Sequence, residues 1–282
     1  MAGSLRQTHP DCEIIWLCDR RFAPLARLCR NISHVVELEK DWKVWRAQIA
    51  ALGEFDCAID LQGLLKSALP VALSRAKSKL GYHWQREGSR LFTQPVIPCP
   101  TSIHVVEQYL DVARAAGGGD TVDFGLVPDA QAVANAEDLI GQLPSGKQLV
   151  VCHAGAGWAT KRWPAANFAA LADALSGQAN ICFIGTKADG PAVREVLDQS
   201  VHMPVDLLGK TDIPTLAALL ARADLHIAGD TGSIHIAAAL GTPCIGLYTL
   251  TRPERSCPFG QIGRCRELGL DAVVETAREI LA

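Results

Sequence analysis

The sequence predicts an α/β protein with two Rossmann-like domains. Short apolar, β-rich runs alternate with longer helical patterns throughout the 282 residues, which is typical of βαβ units with parallel sheets covered by helices. A composition of 49% hydrophobic and 20% charged residues provides an ample core. The polar, glycine-containing break at residues 143–147 precedes a fresh strand, so we place the boundary between domains 1–146 and 147–282.

The predicted strands are short runs rich in apolar and β-branched residues, bounded by polar or glycine-containing turns. In chain order they cover residues 13–18, 34–38, 56–61, 148–153, 180–185, 205–208, 224–228 and 243–248.

The predicted helices are longer segments in which apolar residues recur at helical spacing. In the segment from Pro164 to Leu175, the residues Phe168, Leu171 and Ala172 follow this spacing, and the proline suits the first helical position. Helices are expected at residues 42–52, 64–74, 104–116, 129–142, 164–175, 192–199, 213–222 and 233–240.

Composition restricts the classes of partner and compartment. The net charge of −3 gives no overall positive field for nucleic acid. No apolar run is as long as a membrane span, so we expect any membrane contact to be peripheral. Several of the ten cysteines fall inside apolar strand candidates and none forms a C-x-x-C pair, which favours reduced thiols over disulfides or a zinc site.

A glycine-rich turn follows predicted strand 148–153 and leads to Pro164. It reads His-Ala-Gly-Ala-Gly-Trp-Ala-Thr-Lys-Arg-Trp-Pro from His153 onward. Its glycines allow close approach of a ligand to the backbone, and Lys161 and Arg162 supply charge for phosphate oxygens. Taken alone, these two side chains also fit a solvated pair at a helix start.

A second turn, Gly-Asp-Thr-Gly-Ser-Ile-His, occupies residues 229–235 between an apolar strand and a helix of small residues. Backbone N–H groups and the positive end of a helix dipole meet at such a turn, which suits a phosphate. The alternative is that Asp230 or Thr231 is only a helix cap. Because parallel strands bring their carboxyl ends to one edge of a sheet, the two turns together predict a pyrophosphate site.

Two histidines flank these turns. His153 ends an apolar strand and also fits a hydrogen bond within the core. His235 lies one helical turn beyond Asp230, which makes it the better candidate for a ligand contact. No metal site is expected for this pair, because no third ligand follows at a suitable spacing.

The two turns resemble motifs of glycosyltransferase family 9, the lipopolysaccharide heptosyltransferases. Lys161, Trp163 and Pro164 are similar to the family's K-x-W-P signature, and residues 230–243 are similar to its D-T/S-G-x-x-H-x-A-A-A-x-x-x-P motif. Residues 251–260 resemble the family's segment after its last strand. In the first half, residues 60–67 (Asp-Leu-Gln-Gly-Leu-Leu-Lys-Ser) resemble a motif of the type that adds the first heptose.

This resemblance implies a GT-B fold, with two Rossmann-like domains facing a cleft. It also implies inverting, metal-independent transfer of a heptose from ADP-L-glycero-D-manno-heptose to a Kdo–lipid A type acceptor, without a cofactor. The partners would be this donor and an anionic, lipid-linked sugar, and the enzyme would work in the cytoplasm at the inner face of the inner membrane.

The resemblance further implies roles for individual residues. Lys161 and Asp230 are the expected catalytic residues: Lys161 stabilises the departing diphosphate, and Asp230 holds sugar hydroxyls or steadies positive charge on the ring. Asp189 is similar to the acidic residue that reaches the ribose, with a helix cap as the alternative. The donor-binding residues would be Thr160, Arg162, Asp189, Thr231, Gly232, Ser233 and His235. The acceptor-binding residues would be Gln62, Lys66 and Arg86, with ordinary surface residues as the alternative.

The start of the sequence departs from the family. The family's first strand and its S-x-x-G-D loop, whose Asp is taken as the catalytic base, have no counterpart here, so we expect the first domain to lack its first βα unit. Three hypotheses therefore stay open: heptose transfer, transfer of another sugar or to another acceptor, and nucleotide-sugar binding without catalysis. A nicotinamide-dependent oxidoreductase is disfavoured, because no G-x-G-x-x-G turn opens a βαβ unit.

Overall fold

Every strand pair in the described part of the chain is parallel, as the alternation of strands and helices predicts. The computed structural model describes residues 1–155, 162–248, 251–266 and 269–282. The strands belong to two units, Met1–Gly125 (unit 1) and Leu126–Ala282 (unit 2).

Unit 1 contains two parallel sheets among the described residues. One pairs its first two strands, and the other has three strands in sequence order. The helices are α1 (Ala2–Thr8), α2 (Ala23–Arg27), α3 (Trp45–Ala50), α4 (Leu65–Leu73) and α5 (Val105–Ala115), and the strands are β1 (Ile15–Asp19), β2 (His34–Leu38), β3 (Glu54–Asp60), β4 (Arg75–Tyr82) and β5 (Gln94–Val96).

Strands β4 and β5 lie outside the predicted set. Strand β4 begins Arg-Ala-Lys-Ser-Lys, which lacks the apolar run of a buried strand. Its lysines find local partners: Lys77 forms an ion pair with Asp56 on β3, and Lys79 donates to the carbonyl of Ala72. The charged half of the strand is therefore stable at the surface, while its last three residues are buried.

Unit 2 is a doubly wound sheet with the strand order β11-β10-β9-β6-β7-β8. Its strands are β6 (Gln148–His153), β7 (Ala179–Phe183), β8 (Val205–Asp206), β9 (Leu225–Gly229), β10 (Cys244–Leu247) and β11 (Cys265–Arg266), and its helices are α6 (Ala130–Ile140), α7 (Ala165–Leu175), α8 (Gly190–Gln199), α9 (Ile213–Arg222), α10 (Gly232–Leu240), α11 (Pro253–Ser256) and α12 (Leu270–Leu281). The strand order reverses between β6 and β9, and ligands of such sheets bind at the carboxyl ends beside this reversal.

Alternate residues of the central strands pack into two apolar layers. Val150 and Cys152 of β6 belong to the layer formed with α7, α8 and α12. Leu149 and Val151 belong to the opposite layer, which contains α6, α9 and α10. The predicted inner face of α7 is confirmed, because Phe168 and its helical neighbours are buried. Pro164 precedes this helix as its N-cap residue and is not the first helical residue.

The division of the chain lies between Gly125 and Leu126, before the boundary that the sequence suggests at Gly146. Helix α6 explains the difference. Its buried residues Ala132 and Ala136 share an apolar core with α9 and α10, so the helix is part of unit 2 and does not serve as a connector. The polar face of the helix masks this role in the sequence.

All ten cysteines lie among the described residues and are free thiols. Burial raises the pKa of Cys182 and Cys244 to about 12, so these thiols stay protonated and act as small apolar groups. In the described part of the chain, no helix is long and apolar enough to cross a membrane.

The packing of α6 can be tested with Ala136→Asp. This substitution buries an unpaired carboxylate against α9, and we expect it to lower the free energy of unfolding by about 3 kcal/mol. Urea denaturation followed by circular dichroism measures the change. Ala134→Asp adds the same charge on the exposed side of the helix and should be nearly neutral. Equal effects of the two variants would contradict the assignment of α6 to unit 2.

Candidate functional site

The carboxyl ends of β6 and β9 lie side by side at the reversal of the strand order in unit 2. His153 is the last residue of β6 and is paired with Ala228 of β9. Gly229 ends β9, and Asp230 and Thr231 then lead to α10. The first residues of the two predicted turns, His153 and Gly229, are therefore neighbours in the tertiary structure.

Helix α10 begins at Gly232, with Thr231 as its N-cap residue. The Thr231 side chain makes no capping hydrogen bond to the helix; its hydroxyl lies 3.0 Å from Ser233 Oγ. The simple cap that the sequence allows for this threonine is therefore not observed. The Thr231 side chain does not occupy the backbone N–H groups at the start of α10, where the positive dipole end of the helix favours an anion.

Asp230 and His235 form a pair at the start of the same helix. Asp230 Oδ1 lies 3.5 Å from His235 Nε2, and the histidine is the more exposed of the two. Asp230 also faces Tyr248 at the end of β10. Burial raises the pKa of Tyr248, and the negative charge of Asp230 raises it further. The Tyr248 hydroxyl donates to the carbonyl of Ser256 at 2.6 Å and stays protonated.

A hydrogen-bond network of side chains lies beneath the start of α10. Ser233 Oγ lies 3.0 Å from His153 Nδ1, from His226 Nε2 and from Thr231 Oγ1. His226 is fully buried, and its Nδ1 lies 2.9 Å from the carbonyl oxygen of Val151. Burial lowers the pKa of His226 to about 3, so this ring is neutral at neutral pH.

The carboxylate of Asp189 lies between Thr186 and His153. Its Oδ2 accepts hydrogen bonds from the backbone N–H and the hydroxyl of Thr186, so Asp189 is the third residue of a capping box and its side chain does not cap α8. The same oxygen lies 3.8 Å from His153 Nε2, so the carboxylate also reaches the site. Burial lowers the pKa of His153, and the charge of Asp189 opposes that shift.

Two glycines make the position of Asp189 possible. A Cβ atom on Gly155 would overlap Asp189 Oδ1 and would lie 3.0 Å from His153 Nε2. Gly185 has a φ of +152° and lies against the other side of the carboxylate. Side chains at these positions would displace Asp189 from the histidine.

The predicted acceptor residues lie together in unit 1, at the carboxyl ends of β3 and β4. Gln62, Lys66 and Arg86 are exposed. The loops that carry them are joined, because the carbonyl of Gly63 accepts from the Arg86 N–H at 2.8 Å and from the Ser89 hydroxyl at 3.0 Å. The guanidinium of Arg86 also lies over the ring of Trp84, at 5.5 Å from its centroid.

Asp60 ends β3 and anchors this pair of loops. It is only 2% exposed, and its Oδ1 accepts from the N–H groups of Gln62 at 2.9 Å and Gly63 at 3.1 Å. Its Oδ2 is buried and has no hydrogen-bond partner among the described residues. The carboxylate therefore fixes the first turn of the loop that presents Gln62.

The predicted donor residues of the Asp-Thr-Gly turn lie together at the start of α10. Asp230, Thr231, Gly232, Ser233 and His235 lie on one turn, and Asp189 approaches it through His153. Thr160 and Lys161 lie outside the described residues. Arg162, the next residue in the sequence, is exposed.

The sequence did not indicate His226 as a member of the network, and it left the role of His153 open. The signal for His226 is weak: a single polar residue interrupts the apolar strand Leu-His-Ile-Ala. Its partner Ser233 is part of the recognised turn, but the bond between them depends on how β9 and α10 fold back on each other. Among the described residues, no group of three or more His, Cys, Asp or Glu side chains is arranged to hold a metal ion.

Comparison with known proteins identifies the family. The model of glycosyltransferase family 9 (heptosyltransferase) matches residues 45–271, which include parts of both units and both turns. The chain belongs to glycosyltransferase family 9. It is a transferase, and its parallel sheets and two units agree with the predicted GT-B class.

The chain is also similar to individual members of the family. The chain is 25% identical over 269 residues to the lipopolysaccharide core heptosyltransferase OpsX of Haemophilus influenzae, covering 92% of this chain and 76% of that protein. The crystal structure of the family 9 glycosyl transferase from Veillonella parvula superposes with a TM-score of 0.87 at 20% identity, covering 99% of this chain and 91% of the other. Escherichia coli heptosyltransferase WaaC with ADP-2-deoxy-2-fluoro heptose gives a TM-score of 0.69 at 22% identity, covering 98% and 93%.

The contact between Asp189 and His153 predicts a change in titration. The Asp189 carboxylate stabilises the protonated imidazole, so Asp189→Asn should lower the pKa of His153 below its wild-type value. The asparagine oxygen can still accept from Thr186, which preserves the capping box. NMR titration of the ring proton signals of His153 measures the shift.

Asp173→Asn is the matched control for this titration. Asp173 accepts from the backbone N–H groups of Val201 and His202 and is no partner of His153. Its substitution should leave the His153 titration unchanged. An unchanged or raised pKa of His153 in Asp189→Asn would contradict this effect of the carboxylate.

Proposed function

We propose that this chain transfers a heptose from ADP-L-glycero-D-manno-heptose to a Kdo–lipid A type acceptor in lipopolysaccharide core biosynthesis. One observation carries the proposal. In this chain of family 9, Asp189 and His153 lie close to the start of α10, where the strand order of the sheet reverses. The names of OpsX and of the WaaC complex with an ADP-heptose analogue support this choice of donor and pathway.

The charges at the site suit the departure of ADP. The acceptor oxygen forms a bond to the anomeric carbon with inversion, while the bond from that carbon to the diphosphate breaks and leaves negative charge on the diphosphate. The N–H groups and dipole at the start of α10 can stabilise that charge without a metal ion. Lys161, which the family signature aligns with this role, would add a full positive charge.

Asp230 has a distinct part in this mechanism. It lies at the end of β9 next to the start of α10, and its carboxylate pairs with the partly exposed His235. A carboxylate beside the anomeric carbon can accept hydrogen bonds from sugar hydroxyls and stabilise positive charge on the ring as the leaving group departs. His235, which belongs to α10, lies 3.5 Å from this carboxylate and can hold it in place.

The surface of unit 1 suits an anionic acceptor. Three basic residues that follow the strands β3 and β4 are exposed: Lys66, Arg86 and Arg90. Lys66 and Arg86 are exposed where the loops after β3 and β4 meet, and Arg86 lies over Trp84, so charge and an aromatic face occur together. Such a surface can bind phosphate and carboxylate groups of a sugar–lipid.

Peripheral contact with the inner face of the inner membrane is part of the proposal. Large apolar side chains of unit 1 are exposed, including Trp42 at 63%, Trp84 at 51% and Leu91 at 83%. Lys43, Arg86 and Arg90 are neighbours of these residues in the sequence. Apolar side chains flanked by basic residues suit the surface of an anionic bilayer.

The donor half of the proposal predicts the effect of Lys161→Ala. Loss of a charge-assisted contact to the diphosphate should weaken ADP binding by about ten- to a hundredfold and reduce turnover strongly. Calorimetry with ADP and release of ADP from ADP-heptose in the presence of acceptor are the measurements. Lys147→Ala is the control, because Lys147 donates to the carbonyl of Ser176 at 2.5 Å, near the amino-terminal end of β6.

The outcomes separate the hypotheses that the sequence leaves open. Turnover of ADP-heptose with a Kdo–lipid A type acceptor supports heptose transfer. ADP binding without turnover of any sugar nucleotide would support a non-catalytic protein, and turnover of a different nucleotide sugar would move the chain to another substrate. Unchanged ADP affinity and rate in Lys161→Ala would remove this lysine from the mechanism.

The acceptor half predicts a selective effect of Lys66→Ala. Removal of this exposed charge should raise KM for the acceptor about three- to tenfold and leave KM for ADP-heptose unchanged, because the two substrates bind to different units. Initial rates with each substrate varied in turn measure both constants. Lys77→Ala is the control, since Lys77 pairs with Asp56 on the surface. A rise in KM for ADP-heptose alone would contradict the assignment.

A further inference from the structure

The network around Ser233 has one arrangement of protons that satisfies every member. His226 Nδ1 lies 2.9 Å from the Val151 carbonyl oxygen, which can only accept a hydrogen bond. His226 Nδ1 therefore carries a proton. Because this fully buried ring is neutral, its Nε2 carries a lone pair. Nε2 must then accept the single proton of the Ser233 hydroxyl, 3.0 Å away.

The direction of the Ser233 hydroxyl proton determines the hydrogen-bond roles of its two other partners. With its proton directed to His226, Ser233 Oγ has only lone pairs for His153 Nδ1 and Thr231 Oγ1, each 3.0 Å away. Both partners must donate to it. His153 thus has its proton on Nδ1, and burial keeps this ring neutral, so Nε2 carries a lone pair.

The opposite arrangement is excluded by the same contacts. If Ser233 donated to His153, the neutral ring of His226 would need its proton on Nε2. Its bare Nδ1 would then face the Val151 carbonyl oxygen, placing two acceptors at 2.9 Å in a fully buried position. A second proton on His226 would relieve this conflict, but burial of the ring opposes a charge there.

The proton arrangement of the network determines which atoms His153 and Asp189 present at the surface of the site. His153 Nε2 lies 3.8 Å from Asp189 Oδ2, and both side chains are largely but not fully buried, with 17% and 15% of their areas exposed. An isolated pair of this kind would place a proton on Nε2 toward the carboxylate. The network prevents this, so a lone pair and a carboxylate lie next to each other. Two neighbouring acceptors suit two neighbouring hydroxyl donors.

We propose that His226 and Ser233 are positioning residues that hold His153 in the Nδ1–H tautomer, so that His153 Nε2 accepts a ribose hydroxyl of the donor beside Asp189, the residue to which the family resemblance already gives a ribose contact. The ribose part rests on the proposed use of an adenosine diphosphate sugar. Asp189 Oδ2 is engaged by Thr186, which leaves Oδ1, on the Gly155 side, for one hydroxyl. His153 Nε2 accepts from the other.

The first test reads the tautomers directly and needs no nucleotide. Nitrogen NMR of the full chain labelled at histidine nitrogens distinguishes Nδ1–H from Nε2–H rings. We expect both His153 and His226 in the Nδ1–H form at neutral pH. Detection of wild-type His153 as Nε2–H would overturn the proposal, whatever the protein binds.

Substitution of Ser233 then tests its positioning role. In Ser233→Ala, His153 should change to the Nε2–H form, which donates toward Asp189, while His226 keeps its proton on Nδ1 for Val151. Ser233→Thr retains a hydroxyl and should retain the wild-type tautomer of His153. The control Ser200→Ala removes a hydroxyl that bonds only to the carbonyl of Val196, and it should change neither ring. No change of His153 in Ser233→Ala would overturn the positioning role.

The second test concerns the ribose. Calorimetry of the full chain with ADP, 2′-deoxy-ADP and 3′-deoxy-ADP should show about tenfold weaker ADP binding in Ser233→Ala and near wild-type binding in Ser233→Thr. For the analogue that lacks the hydroxyl bound to His153, the loss in Ser233→Ala should be less than twofold. Equal losses for all three nucleotides would overturn the ribose contact.

The two tests keep the two claims apart. Suppose that the wild-type chain binds no ADP but shows His153 as the Nδ1–H tautomer. The proposed donor and the ribose contact are then both wrong. The tautomer assignment then stands on the NMR result alone. If ADP binds and His153 is Nε2–H, the donor stands and the positioning role of Ser233 and His226 is wrong.

Discussion

The pairing of β6 with β9 is the contact on which the site of unit 2 depends. These strands are far apart in sequence, yet Val151 lies opposite His226 and His153 opposite Ala228 in the parallel register. The reversal of the strand order at this pair places helices on opposite faces, so their connections diverge and leave a crevice at the carboxyl ends. The glycine-rich turn after β6 and the Asp-Thr-Gly turn after β9 both start there.

A buried polar group at the centre of this sheet is costly unless it is fully bonded. His226 lies between the strands β6 and β10 with no exposed surface, and its ring nitrogens are satisfied by Val151 and Ser233. Neutralising the ring avoids a buried charge. The fold thereby contains one rigid polar link from the core to the first turn of α10. This link places Thr231 and His153 relative to each other more firmly than exposed side chains could.

The same edge of unit 2 combines several weak electrostatic effects. The start of α10 contributes a partial positive charge, and Asp189 and Asp230 contribute full negative charges nearby. An anion is favoured at the helix start, and hydroxyl groups are favoured at the carboxylates. A nucleotide sugar carries both kinds of group, a diphosphate and hydroxyl-bearing sugars. In unit 1, the carboxylate of Asp60 fixes the loop of Gln62 by accepting hydrogen bonds from two backbone N–H groups.

The sequence by itself determined much of this protein: the alternation of strands and helices, the position of α10, and the family to which the Asp-Thr-Gly turn belongs. These features are local, because hydrophobic period, helix starts and glycine turns depend on residues a few positions apart. It did not predict β4, whose charged residues are stabilised by partners on neighbouring elements, or the membership of α6 in unit 2. Only the tertiary structure joined His226, Ser233 and His153, since the bond from Ser233 to His153 spans 80 residues and the bond from His226 to Val151 spans 75. Contacts of that range depend on strand order, which no local pattern encodes.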